Sequence, residues 1–277
     1  MSDPVRVLYV SSEIYPYSPE SPVSIVGRYL PQGIQERGRE IRLFMPRYGT
    51  VNERRHQLHE VIRLSGMNII VNDIDRPLII KVASISSARM QVYFIDNDDY
   101  FHRKAVFCDA DGKFFDDNDE RAVFFARGVL ETVKKLRWKP DIVHCQGWIS
   151  HLVPIFLKKA YDKDPIFSDS KIVISLYDEP NYTFRTDMAD RIPTGAITPD
   201  DISIVKAADG INLAKLAIRY ADGVIVGSDA IAPELKACLA ESKVPILQSA
   251  EINMEDQGYI QDYNEFYETI LQADVTE

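Results

Sequence analysis

Cysteine is rare in this chain, and the spacing of the few cysteines excludes two kinds of protein. Cys108, Cys145 and Cys238 are the three cysteines in 277 residues, odd in number and far apart. A small secreted disulfide scaffold needs several cysteines in pairs, so we expect reduced thiols instead. No cysteine or histidine pair has the spacing of zinc ligands, and we expect no metal site.

Positive charge is also scarce, because 32 Lys and Arg residues face 42 Asp and Glu residues and the net charge is −10. Nucleic acids and anionic membrane surfaces require a basic face, so neither is expected as a partner. No apolar run approaches the ~20 residues of a membrane-spanning helix. Met1 to Pro4 is polar and acidic, unlike a signal peptide. We therefore expect a soluble, cytoplasmic protein with neutral or cationic partners, a neutral polysaccharide among them.

Glycine is missing from the first loop that should hold a ligand. A buried strand (Val5 to Val10) precedes this loop and a helix (Val23 to Arg37) follows it, with no glycine before Gly27. Ligands in open parallel sheets bind beyond the carboxyl ends of the strands, which makes the loop a candidate site. A phosphate cradle needs glycines so that backbone N–H groups can approach the anion. This loop contains three prolines and two carboxylates instead (Pro16, Pro19, Pro22, Glu13 and Glu20), and it is a poor place for phosphate.

Strand-like and helical patterns alternate along the chain without a long polar linker, which predicts one α/β domain over residues 1–277. The predicted fold is a doubly wound, Rossmann-like parallel sheet with a β-hairpin or meander extension. Its five parallel strands are Val5 to Val10, Ile41 to Met45, Asp141 to His144, Lys171 to Leu176 and Gly223 to Val226. The extension comprises Met67 to Val71, Leu78 to Ser84 and Met90 to Ile95.

The last predicted helix, about Met254 to Leu271, has an apolar and aromatic face. Its members recur at three- and four-residue spacing: Tyr259, Tyr263, Phe266, Tyr267, Ile270 and Leu271. We expect this face to pack on the chain's own sheet, and the alternative is a surface for a partner. Other helices are predicted at Asp119 to Leu136, Trp148 to Tyr161, Asn212 to Tyr220 and Ala230 to Leu239.

Several motifs resemble the bacterial glycogen and starch synthases (family 5 glycosyltransferases). Ser12-Glu13, Tyr15-Pro16 and Met45-Pro46-Arg47-Tyr48-Gly49 match the opening of those enzymes. The resemblance covers about residues 5–240 and implies the amino-terminal half of their two-domain GT-B fold. Ser18-Pro19-Glu20-Ser21-Pro22 replaces the Lys-Thr-Gly-Gly loop that serves the sugar nucleotide in the family.

A second resemblance lies in the acidic stretch Asp109 to Glu120. It does not fit a calcium loop, because Gly112 is at position 4 rather than 6 and Lys113 occupies a ligand position. It does follow the family's aromatic-x-Asp-Asn-x-x-Arg pattern, which implies that Asp117, Asn118 and Arg121 lie near the sugar cleft. The alternative is structural: Arg121 pairs with a carboxylate, and Asn118 or Asp119 caps the following helix.

Two further motifs of the family occur with substitutions. Pro140 to Trp148 is similar to its Pro-Asp-Val-Val-His-x-His-Asp-Trp, which implies a binding role for His144, but the second histidine is Gln146 here. Glutamine can bind a hydroxyl group but cannot carry a proton at neutral pH. Gly210 to Lys215 is similar to the family's Gly-x-x-Asn-x-x-Lys helix, which implies that Asn212 and Lys215 belong to the substrate site.

The resemblance implies retaining transfer of glucose from ADP-glucose to an α-1,4-glucan, without a metal or cofactor. It implies as partners an α-1,4-glucan or maltooligosaccharide and ADP-glucose. We expect residues 1–277 to leave no room for the donor domain, so a separate chain that supplies this domain is a further implied partner. Without the Lys-Thr-Gly-Gly loop and the second histidine, we expect weak or no transfer by this chain alone. The alternatives are a non-catalytic glucan-binding or regulatory module and an unrelated small-molecule binder of the same fold.

Overall fold

The computed structural model describes residues 4–248 and 258–273. Ten strands occur in these residues: β1 Arg6–Ser11, β2 Glu40–Pro46, β3 His59–Glu60, β4 Met67–Val71, β5 Ile74–Ile85, β6 Met90–Asp96, β7 Ile142–Gln146, β8 Lys171–Leu176, β9 Gly223–Val226 and β10 Ile246–Gln248. They form one sheet in the order β10-β9-β8-β7-β1-β2-β6-β5-β3, with β4 paired to β5.

The central part of the sheet is parallel, as the sequence predicts. All neighbours from β10 to β6 pair in parallel, and the five predicted strands are adjacent members of this series. β5 pairs with β6, β4 and β3 in antiparallel fashion and forms the predicted meander extension. The chain reverses its direction of travel across the sheet at β1, whose neighbours are β2 and β7. Such a switch point opens a crevice at the carboxyl ends of the strands.

The α-helices of the described residues are α1 Pro22–Glu36, α2 Glu53–His56, α3 Asp98–Phe101, α4 Asn118–Leu136, α5 Val153–Ile155, α6 Met188–Arg191, α7 Gly210–Tyr220, α8 Pro233–Glu241 and α9 Gly258–Gln272. Short 3₁₀ segments lie at Ser86–Ala88, Trp148–Ser150 and Ser203–Lys206. None of these helices is long and apolar enough to cross a membrane.

The sequence predicts one continuous helix from Trp148 to Tyr161, and this prediction is wrong because the segment is not a regular α-helix. The segment begins as a 3₁₀ turn, continues as α5 and ends as a π-helical turn at Phe156–Ala160. Pro154 has no backbone N–H, so it fits at the start of α5 but interrupts a continuous ladder of hydrogen bonds.

Helix α9 covers the face of the sheet next to α1, and the prediction that its aromatic face turns inward is confirmed. Tyr259, Tyr263, Phe266 and Tyr267 are each at most 8% exposed. Ile260 packs so closely on α1 that a Cβ at Gly33 would lie 2.6 Å from it. At the other end, a Cβ at Gly223 of β9 would lie 2.6 Å from Ile270. The first residues of the predicted helix, 254–257, lie outside the described part.

Candidate functional site

A cleft of about 740 Å³ lies at the carboxyl ends of the parallel strands. Its walls come from the segments that follow β1, β7, β8 and β9, together with the loop after α3, and its lining comprises residues 13, 20–23, 25, 106–107, 148, 177–180, 182 and 227–228. The volume suits a small ligand, and the position is the one that the switch point favours.

The proline-rich loop after β1 forms one wall of the cleft. Ser21 begins α1 with a capping box, in which its hydroxyl accepts from the Ser24 backbone N–H at 3.1 Å and the Ser24 hydroxyl accepts from the Ser21 N–H at 2.9 Å. The Ser21 hydroxyl also donates to Glu13 Oε2 at 3.2 Å. The capping residue therefore holds a carboxylate in the cleft, where a phosphate-binding loop would present glycine N–H groups.

A second carboxylate, that of Glu179, enters from the loop after β8. Its Oε1 accepts the Trp148 backbone N–H at 3.1 Å. Burial raises the pKa of Glu179 to about 7; the Trp148 N–H opposes this rise and the nearby Glu13 carboxylate adds to it. Burial also raises the pKa of Glu13, against the effect of the Ser21 hydroxyl. The two carboxylates thus share a desolvated site in which Glu13 disfavours the charge of Glu179.

The cleft has one sign of charge. Four carboxylates line it, those of Glu13, Glu20, Asp178 and Glu179, and its described lining contains no lysine, arginine or histidine. Carboxylates accept hydrogen bonds from hydroxyl groups, whereas they repel phosphate and other anions. The site chemistry therefore favours a neutral, hydroxyl-rich ligand over an anionic one.

Aromatic rings form the opposite wall. Trp148 lies among Phe107, Phe114 and Tyr182, at ring-centroid distances of 4.8, 5.3 and 6.0 Å. Tyr182 stacks on Phe114 with centroids 4.1 Å apart and an interplanar angle of 9°. Trp148 Nε1 is buried and has no hydrogen-bond partner among the described residues. Flat rings beside hydrogen-bonding groups are suited to a ligand with both apolar and polar faces.

The structure places Asp117, Asn118 and Arg121 behind the cleft rather than in its lining. Asp117 accepts two hydrogen bonds from Arg103. The Asn118 amide donates to the Phe107 carbonyl at 2.8 Å, and its oxygen accepts from Arg121. Asn118 therefore holds Phe107, a lining residue, in place.

Arg121 is fully buried, and burial lowers its pKa to about 10. Its guanidinium lies 5.1–5.8 Å from the ring centroids of Tyr48, Phe101 and Phe115, and no carboxylate forms a salt bridge with it in the described residues. The structural alternative of a carboxylate partner is therefore wrong.

Helix capping by Asn118 is also wrong. Asp117 is the residue before α4, and its side chain makes no capping bond. Asp119 does accept the Glu120 backbone N–H at 2.8 Å, and it forms a salt bridge with Arg185. The Glu120 N–H in the first turn of α4 thus has an acceptor, but this acceptor is a buried carboxylate paired with Arg185 rather than a solvated capping residue.

His144 and Gln146 are fully buried along β7. His144 lies between Tyr267 of α9 at 2.6 Å and Ser175 at 2.7 Å, and burial lowers its pKa to about 3. Gln146 donates to Ser11 Oγ at 3.0 Å and lies 3.4 Å from the hydroxyl of Tyr177, a lining residue. His144 fastens α9, and Gln146 supports the floor of the cleft.

Asn212 and Lys215 lie on α7, outside the cleft lining. The Asn212 amide donates to the Ala207 carbonyl at 3.0 Å and to the Asp209 carboxylate at 3.2 Å. The start of α7 is joined to the cleft segment by the Gly210 N–H, which donates to the Tyr182 carbonyl at 2.8 Å. The direct binding roles inferred from the resemblance stay a prediction for all seven residues, which the structure does not bring together in the cleft.

Asn212→Ala tests whether Asn212 contributes to ligand binding, directly or through the cleft segment that α7 holds. We expect glycogen binding, measured by calorimetry, to weaken, because the start of α7 positions the Tyr182 segment. The loss of two local hydrogen bonds should cost only about 1–3 kcal/mol of stability. Equal binding by the two proteins would leave Asn212 with a purely structural role.

Sequence reasoning missed Glu179 and Tyr182 as cleft residues. Both lie in the polar segment after β8, and the parallel-sheet rule marks the segment after every strand as a candidate. That rule was the available signal. The sequence does not show which side chains of a long loop return to the cleft.

No group of three or more His, Cys, Asp or Glu side chains that could hold a metal occurs in residues 4–248 and 258–273.

Comparison with known proteins agrees with this architecture. The family model of the starch synthase catalytic domain matches residues 6–241. The chain is 35% identical over 233 residues to a glycogen synthase of Chlorobium limicola, covering 83% of this chain and 47% of that protein. It is 39% identical over 173 residues to a glycogen synthase of Chlorobium phaeobacteroides, covering 62% of this chain and 35% of that protein. The chain spans about half the length of the curated relatives it matches.

A solved structure shows the same fold. The catalytic domain of starch synthase IV from Arabidopsis thaliana, bound to ADP and acarbose, superposes with a TM-score of 0.69 at 15% identity. The superposition covers 96% of this chain and 59% of that one. Together with the family match over residues 6–241, it leads to one conclusion: the chain belongs to the family of the starch synthase catalytic domain.

Proposed function

We propose that this protein acts in glucan metabolism in the cytoplasm and that its cleft binds an α-1,4-glucan or maltooligosaccharide. The reaction of the family, transfer of glucose from ADP-glucose to the glucan, should be weak or absent with this chain alone. The observation that carries the proposal is the lining of the cleft, four carboxylates and several aromatic rings without a cation among the described residues.

The chemistry of a glucan fits this lining. A glucose unit has hydroxyl groups around its edge and two faces rich in C–H groups. Carboxylates accept hydrogen bonds from hydroxyl groups, as Glu13 already does from the Ser21 hydroxyl. Glu179 accepts a hydrogen bond from the Trp148 backbone N–H in the same way. The ring of Tyr182, held by stacking on Phe114, offers an apolar face to a sugar.

The chemistry of ADP-glucose does not fit. Its diphosphate is anionic, and the four carboxylates of the lining, of which Glu13 and Glu179 are partly buried, oppose its entry. Gln146, where the family has a histidine, cannot carry a proton. We propose that any donor site is completed by groups outside residues 1–277, such as those of a separate donor-domain chain. The second candidate function, a purely non-catalytic glucan-binding module, rests on the same charge pattern.

Calorimetry with maltooligosaccharides and glycogen tests the binding site. Tyr182→Ala should weaken binding about two- to tenfold, since an aromatic contact contributes about 0.5–1.5 kcal/mol beyond its buried area. Tyr29→Ala is the matched control, because Tyr29 is also half-buried but lies outside the cleft lining. An equal loss in both variants would show that the cleft is not the glucan site.

Incorporation of glucose from ADP-glucose into glycogen tests the catalytic part. We expect little turnover by the purified chain, and turnover comparable to that of a two-domain synthase would contradict the proposal. Glucan binding with no turnover at all would favour the non-catalytic module.

A further inference from the structure

A second cavity, of about 670 Å³, lies at the opposite end of the strands from the cleft. It is bounded by Pro4 before β1, by the residues that lead into β2 and by the turn between β5 and β6. These are the amino ends of the parallel strands, whereas the cleft is at their carboxyl ends. We name this space the arginine cavity, because Arg39, Arg42 and Arg89 line it.

The arginine cavity reverses the charge of the rest of the protein. Three guanidinium groups line it, and its one carboxylate, Glu40, forms a salt bridge with Arg6 at 3.0 Å and also accepts from Trp138 Nε1. A neighbouring cavity of about 380 Å³ shares Arg42 and is lined by no carboxylate. It adds two further cations, Arg63 and Lys135. On a chain of net charge −10, this is a concentrated positive region.

Arg42 is held in place but is not neutralised. Its Nη1 donates to the Tyr93 hydroxyl at 2.6 Å, and its guanidinium lies 5.2 Å from the Trp138 ring centroid. It forms no salt bridge within the described residues, and its Nε is buried without a hydrogen-bond partner. The bond to Tyr93 uses Nη1 and the protein encloses Nε, which leaves Nη2 as the donor for a phosphate oxygen.

Arg39 adds a second unsatisfied donor. The residue is 7% exposed, its Nε donates to Asn264 Oδ1 at 2.8 Å and its Nη2 pairs with Glu268. Its Nη1 is buried and has no hydrogen-bond partner in the part of the chain that the structure describes. A buried donor without a partner is costly, which favours a ligand or water at this position.

We propose that the arginine cavity binds a phosphorylated small metabolite of about the size of a sugar phosphate. Its phosphate would lie on Arg42 and Arg89, and its hydroxyl groups would meet neutral side chains of the lining such as Gln35 and Gln91. The volume is within the range of about 300–1,000 Å³ of small-molecule sites. The cleft repels such a ligand, so the two sites select opposite chemistries, and the proposal does not depend on glucan binding in the cleft.

Calorimetric titration of the full chain with glucose 1-phosphate, with glucose as the neutral control, tests the proposal. Glucose 1-phosphate should bind, and binding should weaken as salt is added because the contact is ionic. R42Q and R89Q should each weaken it about tenfold or more, the usual effect of losing a hydrogen bond to a charged group. R42K, which keeps the charge but lacks the planar guanidinium that Tyr93 and Trp138 hold in place, should also weaken it.

R54Q is the matched control, since Arg54 is an exposed arginine of α2 outside both cavities, and it should bind as the unmodified protein does. R89Q keeps the test valid if R42Q fails to fold, because Arg89 is exposed at the turn before β6. Absence of binding, equal affinity in R89Q and R54Q, or preference for a dicarboxylate such as malate would overturn the proposal. Loss of glucose 1-phosphate binding in Tyr182→Ala alone would assign the ligand to the cleft instead.

Discussion

Deletion of residues 252–277 is expected to unfold the protein or to make it aggregate. Six side chains of α9 are buried. Burial of each large apolar side chain is worth about 1.5–3 kcal/mol, so the sum is on the order of 10 kcal/mol. A typical domain has a total stability of only about 5–15 kcal/mol. The truncated chain would also expose the face of the sheet between α1 and β9, and such a patch promotes association.

Thermal unfolding and size-exclusion chromatography measure this effect, and point variants refine it. Ile260→Ala should cost about 2–5 kcal/mol, because it leaves a cavity where the side chain contacts Gly33. Asp262→Ala, at an exposed position of the same helix, should change the stability by less than about 0.5 kcal/mol. If the truncated protein melted unchanged and stayed monomeric, the aromatic face would be available to another chain, and the partner-binding interpretation would replace ours.

The same helix shows what a sequence can and cannot predict. Spacing of three and four residues identified the inward face, because that periodicity is local. The surface that this face covers depends on contacts between distant parts of the chain. Tyr267 meets His144 across 123 positions, and Gly33 and Gly223 leave the space that Ile260 and Ile270 fill. No local pattern encodes such contacts.

The parallel sheet was predictable for a similar reason. β1 and β8 are short, largely apolar runs, and β7 is buried at every position although it contains His144 and Gln146, since a parallel strand is buried on both faces. The meander was predicted as an extension, but the parallel pairing of β6 with β2 was not. Strand order is a non-local property, and the sequence constrains it only through connection lengths.

The candidate site was predictable in position but not in detail. The loop after β1, which the sequence marks as a candidate site because it follows a strand end, forms one wall of the cleft. The motif resemblance indicated Asn118, Arg121 and Gln146 as site residues, and the structure places them one layer behind the cleft. There Asn118 holds Phe107, and Gln146 approaches Tyr177. A motif identifies residue types at a place in the chain, but it does not show whether a side chain contacts a ligand or holds one that does.

Glu179→Gln is expected to stabilise the protein at pH 8 and to have little effect near pH 4. Burial raises the pKa of Glu179 to about 7, so the folded state binds its proton more tightly than the unfolded chain does, where an ordinary Glu pKa is about 4.3. Between these two pKa values the folded protein holds more protons, and its stability falls as the pH rises. Above pH 7 the loss is complete, about 1–3 kcal/mol after allowance for partial exposure of the side chain. Glutamine keeps the acceptor for the Trp148 N–H and carries no charge.

The measurement is the free energy of unfolding of both proteins at a series of pH values, and the quantity to follow is their difference. The difference removes the contribution of every group that does not interact with Glu179, and it reports Glu179 together with its coupling to Glu13. Glu13 and Asp119, with pKa values raised by burial, add to the loss with rising pH. His144 and His151, whose pKa values burial lowers to about 3 and about 4, act in the opposite direction, since the unfolded chain takes up their protons first as the pH falls.

Asp178→Asn, at an exposed position of the same cleft wall, is the control and should leave the difference near zero. A pH-independent difference between Glu179→Gln and the unmodified protein would mean that Glu179 stays ionised in the cleft, and the mutual repulsion of the two carboxylates would then be too weak to influence what the cleft binds.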